Sequence, residues 1–146
     1  MEEYKYIIIP VLAIVTAQII KTIIETIETK KFSIERLFNG SGGMPSTHTS
    51  AVVALSTVVA MDFTFKSPLF AICLVFSFIV MYDAMGIRYE SGKQAEVINI
   101  LAKDFKGKHK FEVLKEKIGH KPNEVLGGII TGIVIALLIN NFMIWL

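Results

Sequence analysis

The chain has 146 residues, 53% of them hydrophobic and 19% charged, with a mean hydropathy of +0.57. That length suits one domain rather than two, and that composition argues against disorder. Cys73 is alone in an apolar run, which excludes a disulfide framework and fits a buried, unreactive thiol, and the net charge of +2 matters less than where the charges lie.

A bilayer span needs about 20 residues at about 1.5 Å each. The first candidate, about residues 6–27, is mostly Ile, Val, Leu and Ala, with Gln18 and Lys21 inside it. The second, about 45–63, opens polar at Pro45 and continues as Ala51 to Met61. The third, about 69–87, holds fourteen uncharged residues from Leu69 to Tyr82 and reaches spanning length by running through Asp83 to Ile87. The fourth, about 123–146, includes Val125 to Leu146, 22 residues without a charge. The expectation is an all-α integral membrane bundle of four transmembrane helices, forming a single membrane domain over 1–146. A soluble helical bundle is the rival, and the fourth segment, apolar on all faces, argues against it. A secretory signal is disfavoured by Glu2 and Glu3 and by the lack of a small-x-small site near Lys21.

Charge orients these helices. Lys30, Lys31 and Arg36 follow the first helix, and nine more basic residues lie in the connection 88–122. Basic loops stay in the cytoplasm. Both termini are therefore expected outside the cell's inner membrane, with both long connections inside. Ala95, Ile98, Leu101, Ala102 and Phe105 recur at helical spacing, and Phe111, Leu114 and Ile118 repeat the pattern after Gly107. Two readings remain: short amphipathic helices on the cytoplasmic side, or a solvated charged hairpin. Nucleic acid is not expected as a partner, because Glu90, Glu96, Asp104, Glu112 and Glu116 interrupt the lysines and no nucleic-acid motif is present. Anionic membrane lipid suits the pattern better.

The polar residues of the spans gather at one face. Lys21, Ser46, His48, Asp83, Arg88, His120 and Glu124 all fall at the cytoplasmic ends under alternating topology. Singly each has an ordinary explanation: a snorkelling lysine, capping histidines, a structural Asp–Arg pair. Together they suggest a site. Gly40-Ser41-Gly42-Gly43-Met44-Pro45-Ser46-Thr47-His48 places glycines before a helix start, where amides at Ser46, Thr47 and His48 would point at an anion. The Ser46 hydroxyl adds a donor, and His48 has a proton to give a leaving oxygen. It is not a P-loop, since no Gly-Lys-Ser or Gly-Lys-Thr is present. His120 and Glu124 are four apart and share a face if both are helical; a carboxylate on one ring nitrogen makes the other more nucleophilic. Pro122 leaves open whether the helix includes His120 or begins after it. Gly127 and Gly128 leave room for a neighbouring helix. A metal site would need His48, His120, Asp83 and Glu124, but no ligand spacing supports one.

At these segments the sequence resembles a known family. Pro45-Ser46-Thr47-His48 is similar to the Pro-Ser-Gly-His motif of the type 2 phosphatidic acid phosphatases, relatives of vanadium haloperoxidases. His120-x3-Glu124 resembles that superfamily's His-x3-Asp. Gly42-Gly43-Met44-Pro45-Ser46-Thr47-His48, Met81-Tyr82-Asp83-Ala84-x-Gly86-x-Arg88, Gly92-x-Gln94-Ala95 and Leu114-Lys115-Glu116-x-x-Gly119-His120-x-Pro122-x-Glu124-Val125 resemble its divergent bacterial and plant branch, over about Gln18 to Gly132.

The resemblance implies a lipid phosphatase that uses no cofactor or metal. His120 matches the nucleophile that forms a phosphohistidine, Glu124 stands where an Asp orients it, and His48 matches the general acid. Asp83 is a further candidate for orienting a ring. Ser46 and the amides around Thr47 match phosphate donors. The sequence departs from the family pattern in three places. Thr47 replaces the motif's Gly. The Lys-x6-Arg-Pro motif is missing, with Lys21 as its substitute. The Ser-Arg pair is missing, with Arg88 or Lys115 to supply its charge. The helix count, lower than in larger lipid phosphatases, implies a compact core or a homodimer. The expected substrate is an isoprenoid or glycerolipid phosphate or diphosphate. The alternatives are a non-catalytic membrane protein that keeps the phosphate pocket, and a small transporter subunit, which the lack of midplane polar residues disfavours.

Overall fold

The computed structural model describes residues 4–30, 42–104 and 112–144. Gly40, Ser41, Lys31, Arg36, Phe105, Gly107 and Phe111 therefore lie outside the described residues. Among the described residues five helices follow one another: α1 (Lys5–Thr29), α2 (Thr47–Phe63), α3 (Pro68–Met85), α4 (Ile87–Asp104) and α5 (Pro122–Ile144). The described residues contain no strand.

Among the described residues, three helical stretches are long and apolar enough to cross a membrane: α1, the run Pro68–Lys103 whose apolar part is α3, and α5. The second expected span is shorter than the sequence suggests. Ser46 caps it, accepting from the Thr49 amide, so α2 begins at Thr47 and has 17 residues. That is about 25 Å of rise against about 30 Å of hydrocarbon. It lies at the centre of the bundle, against α1, α3 and α5.

Small residues set the packing around α2. A Cβ on Gly128 would meet the Ser46 carbonyl oxygen at 2.7 Å, and one on Gly132 would meet that of Ser50 at 2.6 Å. Backbone approach this close requires glycine. The buried stripe of α5 continues every fourth residue through Gly128, Gly132, Ala136 and Asn140. On α1 the same spacing buries Ile9, Ala13, Ala17 and then Lys21. Ile9, Ala13, Ala54, Val58 and Ala136 form the apolar centre. By contrast α3 buries only Ser77 and Ala84, and Ser77 bonds across to Ser56 of α2 at 2.8 Å. Cys73, expected buried, is only partly so.

The connection 88–122 differs most from expectation. Gly86 interrupts the helix only briefly, and α4 starts at Ile87, well before Ala95. Its buried side is Gly92, Ala95 and Asn99, whereas Ile98 and Leu101, expected on the apolar face, are exposed. The second amphipathic helix does not form: residues 112–121 are an irregular strap along α4, with Leu114 exposed and Ile118 half-buried. The reason is contact with α4. A Cβ on Gly92 would lie 2.3 Å from the Glu116 carbonyl oxygen, and one on Gly119 would lie 2.2 Å from the Tyr89 Cα. Strap and helix meet backbone to backbone, leaving no room for a second helix.

Candidate active site

Pro122 is the first residue of α5, so His120 and Lys121 precede the helix. Glu124 lies in the first turn and reaches back. Its Oε2 accepts from the Lys121 amide at 3.1 Å and pairs with His120 Nδ1 at 3.0 Å. This is the return half of a capping box with an imidazole added. The His120 amide donates to the Ala84 carbonyl at 3.0 Å, tying the start of α5 to the end of α3. The ring is buried, 5% exposed. Burial pushes its pKa below the ordinary histidine value and the Lys21 charge adds to this, while the Glu124 contact opposes them. With Nδ1 engaged by a carboxylate, a neutral ring has the Nε2 lone pair available.

The turn before α2 passes through Gly42 and Gly43, both at positive φ, which glycine adopts without cost. Gly43 lies against the Lys21 stem; a Cβ there would meet Lys21 Cγ at 3.5 Å. The Ser46 amide, expected to face an anion, donates instead to the Glu124 carbonyl at 2.9 Å. Its hydroxyl is fully buried and accepts from Thr49 Oγ1 at 3.0 Å. Ser46 thus holds α2 to α5, and the amides of Thr47 and His48 belong to the first turn of α2, which has no intrahelical acceptor for them. Thr47 is half-buried and His48 exposed.

Lys21 points inward. It is 6% exposed, and its Nζ is buried without a hydrogen-bond partner. The charge of Glu124 reaches it, and its own charge reaches both His120 and His48. His48 also feels Arg88, His120 and Asp83. Arg88 Nε donates to Asp83 Oδ2, so Asp83 orients the guanidinium rather than a histidine ring. Lys21, His48, Asp83, Arg88, His120 and Glu124 therefore share one end of the bundle. Lys115 does not join them: it is exposed on the strap, away from the cavity beside the site. That cavity, about 560 Å³, runs between α1, the Gly42–Met44 turn, α4 and the strap, and Lys21, Glu124, Lys117 and Lys121 are among its walls. Neither His48 nor His120 forms part of its wall. Among the described residues, no group of three His, Cys, Asp or Glu side chains is placed to hold a metal ion.

Lys117 and Lys121, rather than Lys115, line the cavity, which residue counting alone does not distinguish on an irregular strap. The inward aim of Lys21 has a clear signal, since it ends the fourfold stripe from Ile9 to Ala17. Asn99, which binds Leu114 and Glu116 of the strap, carries no motif that singles it out in the sequence.

A family model described as the divergent PAP2 family matches residues 3–135. The chain belongs to that family. An uncharacterized membrane protein of Bacillus subtilis (strain 168), YuiD, is 43% identical over 143 residues, covering 89% of this chain and 90% of that protein. No solved structure matches. With its apolar helices and this relative, the chain is an integral membrane protein.

Proposed function

We propose that this protein hydrolyses the phosphate or diphosphate ester of a membrane lipid through a phosphohistidine on His120. The observation that carries the reading is Lys21: a buried ammonium without a hydrogen-bond partner, beside two histidines, is a ready counter-charge for phosphate. His120 Nε2 attacks phosphorus while Glu124 holds the Nδ1 proton. The bond from phosphorus to the lipid oxygen breaks as protonated His48 gives that oxygen its proton. Neutral His48 then takes a proton from water, whose oxygen attacks the phosphohistidine and frees phosphate and His120. Lys21, Arg88 and the Thr47 and His48 amides offset the phosphate charge, and no step calls for a metal.

In this reading α2 is the fourth span. The site faces the cytoplasm across the inner membrane, and both termini lie outside. A homodimer would enlarge the compact core. The partners are the lipid phosphate and anionic membrane lipid.

The test is phosphate release from a panel of isoprenoid and glycerolipid phosphates by the purified protein. His120→Ala should abolish turnover and any acid-labile phosphoprotein. His48→Ala should slow alkyl esters most and aryl phosphates least, because an aryl leaving group needs no proton. A second reading, a phosphate-holding membrane protein without turnover, draws on the engagement of Arg88 by Asp83 and the complete burial of Ser46. It predicts lipid phosphate binding that Lys21→Met weakens, with no phosphate release from any substrate.

A further inference from the structure

The strap 112–121 is fastened to α4 at successive points, and the outermost is Asn99. That side chain is 6% exposed. Its Nδ2 donates to the Leu114 carbonyl and to Glu116 Oε1, both at 2.9 Å, and its Oδ1 accepts from the Leu114 amide at 2.9 Å. One side chain thus takes both polar groups of the Leu114 residue, as a neighbouring β-strand would. Next come the contacts of Gly92 with Glu116 and of Gly119 with Tyr89, which any side chain on either glycine would break. Last is the His120 amide on Ala84. From Tyr89 to Asn99 the helix rises about 15 Å. The five residue-to-residue steps from Leu114 to Gly119 reach about 17 Å when fully extended, so the strap has little slack. A shift at Leu114 passes to Gly119 and then to the His120 ring.

We propose that Asn99 is a positioning residue for His120: it sets where the strap lies and, through it, where the imidazole meets phosphorus. This rests on the catalytic reading of His120 given above. The groups assigned to hold phosphate, Lys21 on α1, the first-turn amides of α2 and Arg88 on α4, are not on the strap. Asn99 should therefore govern the covalent step and leave anion binding alone.

The experiment compares Asn99→Ala, Asn99→Asp and the double variant Asn99→Asp with Glu116→Gln in the full chain in nanodiscs. In the double variant the donor and acceptor of the Asn99–Glu116 contact exchange places, and the bond returns. Three quantities are measured: phosphohistidine formation, the dissociation constant for inorganic phosphate, and hydrogen exchange at the His120 amide. Asn99→Ala should lower phosphohistidine formation about 10- to 100-fold, the loss expected from misplacing a reacting group by about 1 Å. It should leave phosphate affinity within about twofold and speed His120 exchange. The double variant should regain only the share that the Glu116 contact carries and stay below wild type, because the Leu114 carbonyl still lacks its donor. Unchanged exchange at His120 in Asn99→Ala overturns the proposal whether or not the protein is an enzyme. Loss of phosphate affinity in step with the covalent reaction overturns it too, because that marks a folding role. A wild-type protein that forms no phosphohistidine defeats the catalytic reading instead, and the exchange measurement still decides whether Asn99 fixes the strap.

Discussion

Two lysines on α1 have opposite fates. Lys5, in the first turn, pairs with Asp62 of α2 at 2.9 Å, and Tyr6 donates to the same carboxylate at 2.6 Å. Its charge is answered within the protein, and the cluster ties α1 to α2 at the end of the bundle where the described chain begins. Lys21, four turns further on, is buried on the stripe that Ile9, Ala13 and Ala17 begin, and its ammonium has no hydrogen-bond partner. A buried ammonium without a bond is costly. A fold that needed only a link at this end would place a carboxylate against Lys21, as it does against Lys5. Glu124 is near enough for its charge to be felt, yet its Oε2 is engaged by His120 and Lys121. On the proposed reading, the difference separates an internal tie from a charge held ready for a ligand.

The sharpest way to break that contrast is Lys21→Met. It removes one charge-assisted contact to a bound phosphate, worth about 1.5 to 3 kcal/mol. The dissociation constant for inorganic phosphate or a lipid phosphate should rise about 10- to 100-fold, read by calorimetry in nanodiscs. Thermal stability should hold or rise, because the variant no longer buries an unbonded ammonium. Intact phosphate affinity with a fall in stability would show Lys21 to be structural after all.

The next effect concerns how the two histidine-bearing elements are held apart. Gly128→Ala places a Cβ 2.7 Å from the Ser46 carbonyl oxygen and 2.8 Å from Thr49 Cβ. Helix α5 must then move off α2, straining the Ser46 amide bond to Glu124. Overpacking of this kind costs about 1 to 3 kcal/mol, measurable as a lowered midpoint of unfolding. Because His48 is on α2 and His120 leads into α5, turnover should fall further than phosphate affinity does.

Much of this architecture was legible in the sequence for a physical reason. Apolar length marks a span irrespective of its neighbours, so α1, α3 and α5 could be read directly. The gathering of Lys21, His48, Asp83, Arg88, His120 and Glu124 at one end follows from alternating helices of similar length. What escaped depended on contacts between distant segments. Phe111, Leu114 and Ile118 have helical spacing, yet the strap around the last two is not helical, because Gly92 and Gly119 bring it against the α4 backbone. The Ser46 amide looked available for an anion until α5 supplied the Glu124 carbonyl. Asp83 looked like a partner for a histidine, but Arg88, one turn further on, claims it. Asn99 carries no motif; only the fold puts Leu114 and Glu116 within its reach.

The smallest effect tests the other half of the contrast. If the Lys5 cluster is only a tie, a double-mutant cycle between Lys5→Met and Asp62→Asn should return about 0.2 to 1 kcal/mol, the range of a partly exposed ion pair. Side-chain exposures of 12% for Lys5 and 22% for Asp62 favour the upper part of that range. Tyr6 complicates the single variants, since Asp62→Asn also alters the acceptor of its hydroxyl; Tyr6→Phe in both backgrounds separates that contribution. Each of these variants should leave phosphate affinity unchanged, because Lys5 and Lys21 are sixteen residues apart on one helix, about 24 Å of rise. That separation is beyond the screening length of about 8 Å at physiological salt. Altered phosphate affinity in Lys5→Met would show that the two ends of α1 communicate, and Lys5 would then be more than a tie.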